Sequence, residues 1–257
     1  MFKEINLRNH SSLHKLFYSL KIVDEVLSND SFDKLSVDLV DIDFTLVGGD
    51  QFEVHYHGPE DKKPIVTNAS KTLELKEPKV ERKNGKFWKR KHVEISIVSP
   101  DDIGALKVTV PVEHKLVNAT LKLTSGDTVV KQVELETLTF TALSGDLHLK
   151  KVKVDEVAIT ETSGDIKLKN VLLNRGKIKL VSGDFTIKDS QILDDLDVAT
   201  TSGDNLAENI EVDQCDLKTV VGDNSIFGGK ATHAQVGKET NGSHLGMHTV
   251  SGDNTVK

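Results

Sequence analysis

A Ser-Gly-Asp triplet returns through the second half of the chain at an almost constant interval. It stands at Ser125-Gly126-Asp127, Ser144-Gly145-Asp146, Ser163-Gly164-Asp165, Ser182-Gly183-Asp184 and Ser202-Gly203-Asp204, with glycines 19, 19, 19 and 20 residues apart. Val221-Gly222-Asp223 follows 19 residues later without the serine, and Ser251-Gly252-Asp253 restores the triplet near the C-terminus. A fixed period of this length marks a repeat architecture, in which each unit buries its apolar face only against its neighbours.

Aligned on the glycines, the repeats return apolar residues in columns. Leu147, Ile166 and Phe185 lie two places after glycine, and Val130, Leu149, Leu168 and Ile187 four places after. Further columns run Val133, Val152 and Val171, then Leu135, Val154, Leu173 and Ile192, then Phe140, Ile159, Ile178 and Val198, the last one place late. That delay explains the 20-residue step as one inserted residue. Apolar positions separated by one residue have the period of a strand, so each coil reads as two or three short strands joined by tight turns. Glycine suits a corner that needs positive φ, and the flanking Ser and Asp can bond backbone groups there. Stacking also sets Asp127, Asp146, Asp165, Asp184, Asp204 and Asp223 in a ladder with steps of about 4.8 Å. Calcium could relieve the repulsion between them, but turn chemistry is the better explanation of the motif, and no cofactor is expected. Asn205 and Asn224 replace the first apolar column, and Gly228 to Gly246 is rich in Gly, Thr and His, which suggests a stack that ends or frays there.

Ahead of the repeats, Leu13, Leu16, Phe17, Leu20, Val23 and Leu27 follow Ser11-Ser12 at helical spacing. This predicts an N-terminal helix that caps the stack. Alternating apolar residues over Lys34 to Asp43, Phe44 to Leu46 and Gln51 to His57 predict strands. His55 and His57 share one strand face, but two histidines fall short of a zinc site. The expected organisation is a helical segment over 1–32, a β-rich cap over 33–116 and a repeat domain over 117–257. The fold class is all-β: a single-stranded β-solenoid (β-helix) of about six 19–20-residue coils with that N-terminal helix and cap.

The stretch from Lys79 to His92 stands apart in charge. Seven basic residues against Glu81 alone give it +6 in a chain whose net charge is −7, so the remainder carries −13. Asn84-Gly85 predicts a hairpin turn, which would crowd Lys83, Lys86, Trp88, Lys89, Arg90 and Lys91 onto one ribbon. These six are the candidate partner-binding residues, suited to an anionic cell-wall polymer, a glycan or a protein. Nucleic acid is not expected, because the rest of the surface is acidic.

The Ser-Gly-Asp strands, preceded by Leu106-Lys107-Val108-Thr109-Val110-Pro111, resemble the bacterial family of β-strand-repeat proteins known as putative adhesins, over residues 33 to 257. The resemblance implies a repeat scaffold and a binding role. No phosphate-cradling loop, nucleophile elbow or paired zinc histidines occur, so no catalytic or metal-binding residues are assigned and an enzyme is not expected. The single cysteine, Cys215, falls in an apolar column and reads as packing. The alternatives are a polysaccharide-active β-helix enzyme and an intracellular scaffold that self-associates through a C-terminal edge at Asp253 to Lys257. No signal peptide or membrane span is visible. The default location is therefore the cytoplasm, with the cell surface as the alternative that the resemblance implies.

Overall fold

The computed structural model of the 257-residue chain describes residues 21–78, 104–231, 233–236 and 242–257. One 22-stranded sheet winds round a continuous core. Its first strands are β1 (Ile22–Ser28), β2 (Lys34–Leu39), β3 (Asp43–Gly49), β4 (Glu53–Pro59), β5 (Ile65–Ala69), β6 (Thr72–Lys76) and β7 (Ala105–Pro111). The repeats supply β8 (Lys115–Leu123), β9 (Thr128–Lys131), β10 (Glu134–Ser144), β11 (Leu147–Lys150), β12 (Lys153–Ser163), β13 (Ile166–Lys169), β14 (Leu172–Ser182) and β15 (Phe185–Ser202). Then come β16 (Asn205–Glu211), β17 (Gln214–Val221), β18 (Asn224–Ile226), β19 (Gly229–Ala231), β20 (His233–Val236), β21 (His244–Ser251) and β22 (Asn254–Val256).

Each coil is a long strand, a Gly-Asp corner and a short strand. Long strands stack in parallel in the order β6, β2, β8, β10, β12, β14, β15, β21, β17. Short strands stack in parallel as β7, β3, β9, β11, β13, β15, β16, β22, β18, with β15 running through both columns. The described residues thus build nine coils rather than six. Antiparallel strands close the ends: β5 lies on β6 and β4 on β7, while β20 lies on β17 and β19 on β18.

The apolar columns face inward as their spacing requires. Leu147, Ile166 and Phe185 are directly opposite one another, and all three are fully buried. Inward positions jump from Leu135 to Leu138 within β10, which marks a bend partway along each long strand. The extra residue of the 20-residue coil is absorbed as a bulge: Leu173 pairs with Ile192 and Arg175 with Asp195, so Leu193-Asp194 face the single Asn174. A second corner, six residues after each glycine, holds Gln132, Lys151, Asn170, Asp189 and Asn209 at φ between 51° and 56°. These side chains are all polar, which is the sequence sign of that corner.

Four further expectations change. Val23 and Leu27 of the expected helix lie in strand β1, whose antiparallel pairing with β4 overrides the helical spacing; residues 1–20 of that helix lie outside the described residues. The expected cap over 33–116 contributes coils to the same stack, since β2 lies parallel on β8 and β3 on β9. The C-terminal coil does not follow the one before it in sequence. Strands β21 and β22 enter between β15/β16 and β17/β18, so β22 is paired on both sides and Asp253 to Lys257 form no free edge. Finally, Asn205 and Asn224 do not fray the stack. They are buried with Asn254, and Asn205 Nδ2 donates to Asn254 Oδ1 at 2.7 Å while Asn254 Nδ2 donates to Asn224 Oδ1 at 2.7 Å. Thr200 Oγ1 completes the column by donating to Asn205 Oδ1 at 2.7 Å. Buried amides are tolerated when they satisfy one another in this way.

Candidate functional site

Glycine and aspartate at the corner do different work. At Gly145, Gly164, Gly183, Gly203, Gly252 and Gly222, φ is positive and an added Cβ would fall on the carbonyl oxygen of the glycine in the neighbouring coil. Only glycine lets adjacent corners approach this closely. Each aspartate meanwhile bonds across coils. Asp43 Oδ1 accepts the Asp127 N–H at 2.9 Å, Asp127 that of Asp146 at 2.9 Å, Asp146 that of Asp165 at 2.9 Å and Asp165 that of Asp184 at 3.1 Å. Asp184 then accepts from Asp204 at 2.8 Å, Asp204 from Asp253 at 2.8 Å and Asp253 from Asp223 at 2.7 Å. The order of this chain of bonds confirms the insertion of the C-terminal coil. Backbone donation from Asp184 holds the Asp165 carboxyl below its ordinary range.

Glu161 interrupts this regularity. Its position belongs to the inward column, opposite Ala142 and Leu180, and it is fully buried with neither carboxyl oxygen hydrogen-bonded. Burial and the nearby Asp146, Asp165 and Asp127 push it up to about 8, so it is neutral at pH 7. The periodic pattern shows this misfit in sequence, as a glutamate where apolar residues or threonine stand in other coils.

The candidate residues Lys83, Lys86, Trp88, Lys89, Arg90 and Lys91 lie outside the described residues. Their point of attachment does not. Glu77 N–H donates to Asp38 O at 2.9 Å and Asp43 N–H to Gly104 O at 2.9 Å, so residues 78–103 join β6 to β7 at the corner where other coils carry Gly-Asp. The Glu77 carboxylate accepts the Val40 N–H at 2.6 Å and thereby closes this end of the corner column.

His55 and His57 both meet Asp24 on β1, with His55 Nε2 at 2.6 Å from Oδ1 and His57 Nδ1 at 3.8 Å from Oδ2. Among the described residues no three His, Cys, Asp or Glu side chains are arranged to hold a metal ion. Cys215 is buried beside Leu245, and burial pushes its thiol up to about 11, which suits packing rather than nucleophilic chemistry. Asp195 and Asp197 lie on the outer face with His244 and His248, at 2.8 and 3.6 Å respectively. No described helix is long and apolar enough to cross a membrane.

Parallel strands stacked through corner glycines define an all-β protein of the strand-repeat class. The chain belongs to the Toastrack DUF4097 family, whose model matches residues 32–257, and this is the family of Ser-Gly-Asp strand repeats that the sequence resembles. Among solved structures it is similar to a putative adhesin from Bacteroides fragilis NCTC 9343, at 15% identity over 93% of this chain and 97% of that one, TM-score 0.48. It is also similar to a putative cell adhesion protein from Clostridium sporogenes ATCC 15579, at 12% identity over 92% of this chain and 98% of that one, TM-score 0.43. A third is a putative lipid binding protein from Parabacteroides distasonis ATCC 8503, at 12% identity over 92% and 97% of the two chains, TM-score 0.45. Curated proteins give no match.

Proposed function

We propose that this protein is a non-catalytic binding protein of the adhesin-like kind, which contacts a polymer or protein partner through its outer faces and its basic segment. The observation that carries this reading is where that segment leaves the stack. The residues that hold +6 lie in the chain between the two strands of an end coil, and placing them there sets their charge apart from the acidic remainder, which suits a partner of negative charge. The regularly spaced carboxylates that would be candidates for chemistry are engaged in holding coils together.

The test is retention on an anionic polymer column at low salt, comparing the wild type with a variant in which Lys86, Lys89, Arg90 and Lys91 are all changed to Gln. Earlier elution of the variant supports the role of the segment, and unchanged retention removes it. Fractionation of source cells into surface, membrane and cytosol decides between an adhesin and an intracellular binding protein. The reading requires no resident metal, because the carboxylates of Asp43, Asp127, Asp146, Asp165, Asp184, Asp204 and Asp253 already accept a backbone N–H. Chelator is therefore expected to leave Tm unmoved; a fall in Tm would reveal an ion that only the folded state binds.

A further inference from the structure

Parallel register sets four lysines in a column on the face formed by the short strands. Lys131 is opposite Lys150, Lys150 opposite Lys169, and Lys169 opposite Lys188, with steps of about 4.8 Å along the stack. The next outward column adds His148 and Lys167, and Lys151 occupies the adjacent corner. Like charges at this spacing repel, yet the chain keeps them on successive coils despite a net charge of −7. Compensation is partial. Lys169 lies 3.8 Å from Asp189 and Lys188 lies 2.8 Å from Glu208, both exposed pairs of the kind that exchange readily. Among the described residues, Lys131 and Lys150 have no ion-pair partner.

We propose that this lysine column binds a linear polyanion, one anionic group per repeat, laid along the axis of the stack. The inference rests on the binding reading above and adds a second surface and a partner class to it. The flanks select the shape of the partner. About 13 Å away along the same strands runs the aspartate column of Asp127, Asp146, Asp165 and Asp184. Beyond the other corner the charges are mixed, with Glu134 between Lys115 and Lys153 and Arg175 between Glu156 and Asp195. A flat anionic membrane would press against the aspartate column, whereas a single extended chain meets only the basic line beside it. The outward neighbours are Val129, His148, Lys167 and Thr186, with no Phe, Tyr or Trp for base stacking, so recognition is by charge along the polymer.

The test uses the full chain with two probes, polygalacturonate as the carboxylate polymer and inorganic polyphosphate as the phosphate polymer, titrated over a range of salt. The altered protein carries Lys131→Gln, Lys150→Gln, Lys169→Gln and Lys188→Gln together, and its Tm is checked. Removing like-charge repulsion is expected to leave Tm level or higher, and Lys150→Glu alone provides a second, smaller perturbation. Affinity is expected to fall roughly tenfold or more for at least one polymer, and the slope of log K against log salt to flatten by about 3. The variant with Gln at Lys86, Lys89, Arg90 and Lys91 should retain the lysine-column contribution. Unchanged affinity in the quadruple column variant overturns the proposal while leaving the basic segment its role. Failure of the wild type to bind either polymer overturns it as well, whether or not anionic vesicles bind instead.

Discussion

Gly183→Ala is expected to lower stability by about 4 kcal/mol or more, enough to reduce Tm by roughly 10 °C or to prevent folding. Two costs combine at this position. The backbone has φ 128°, where an L side chain is strained, and the new Cβ would meet the carbonyl of Gly164 in the neighbouring coil. Neither can relax locally, because the coil on each side imposes the same corner. Gly228→Ala separates the two costs. Gly228 also has positive φ, at 83°, but nothing lies within 4 Å of the added carbon, so its loss should be only about 1–2 kcal/mol. Thermal denaturation of both variants decides the matter: equal losses would mean that the close approach of corners contributes nothing.

The second large effect concerns Glu161. Its carboxyl is pushed up to about 8 in the folded protein, from an ordinary 4.5. The folded state therefore holds this proton more tightly than the unfolded state. The sign follows from linkage: below pH 4.5 both states are protonated and titration costs nothing, stability declines by roughly 1.4 kcal/mol per pH unit as pH rises from 4.5 towards 8, and the loss levels off above 8. Glu161→Leu removes the titrating group and fills the column between Ala142 and Leu180 with an apolar side chain. It should stabilise the protein by several kcal/mol at pH 8.5 and much less at pH 4.5. Urea melts of the two proteins from pH 4.5 to 9 provide the measurement. Parallel stability curves, or a leucine variant weaker than wild type at pH 8.5, would sink this account of the site.

How far the residues alone disclose this architecture depends on what each corner is made of. Coils with Ser-Gly-Asp declare themselves, and their apolar columns give the pairing of β10 to β15 down to the inserted residue at Leu193-Asp194. The coil of β2 and β3 turns through Val40-Asp41-Ile42-Asp43 without glycine, so its period is silent although Asp43 takes the usual bond. The coil of β6 and β7 is interrupted by the basic segment, which hides it from any search by spacing. Spacing also identifies the coil around Gly252 but not its neighbours, because the Gly-Asp corner is equally compatible with any coil. The lysine column was present in the sequence at 19-residue intervals. It reads there as ordinary surface charge, and only register shows that the four ammonium groups share one line.

The insertion of β21 and β22 between β16 and β18 has a consequence for how such a protein is made and how it varies. A sequential solenoid can close one coil after another as it emerges, and can gain or lose a terminal coil without disturbing the rest. Here β21 and β22 occupy a place inside the array although they follow β17 and β18 in the chain, and the coil of β2 with β3 is likewise sandwiched between two that come after it. The array cannot be completed until β21 and β22 have been made, and the contacts that seal it span long sequence separations, which slows folding. The two ends act as interlocking clasps, so any change in length by whole repeats must fall in the run from β8 to β15, where chain order and spatial order agree.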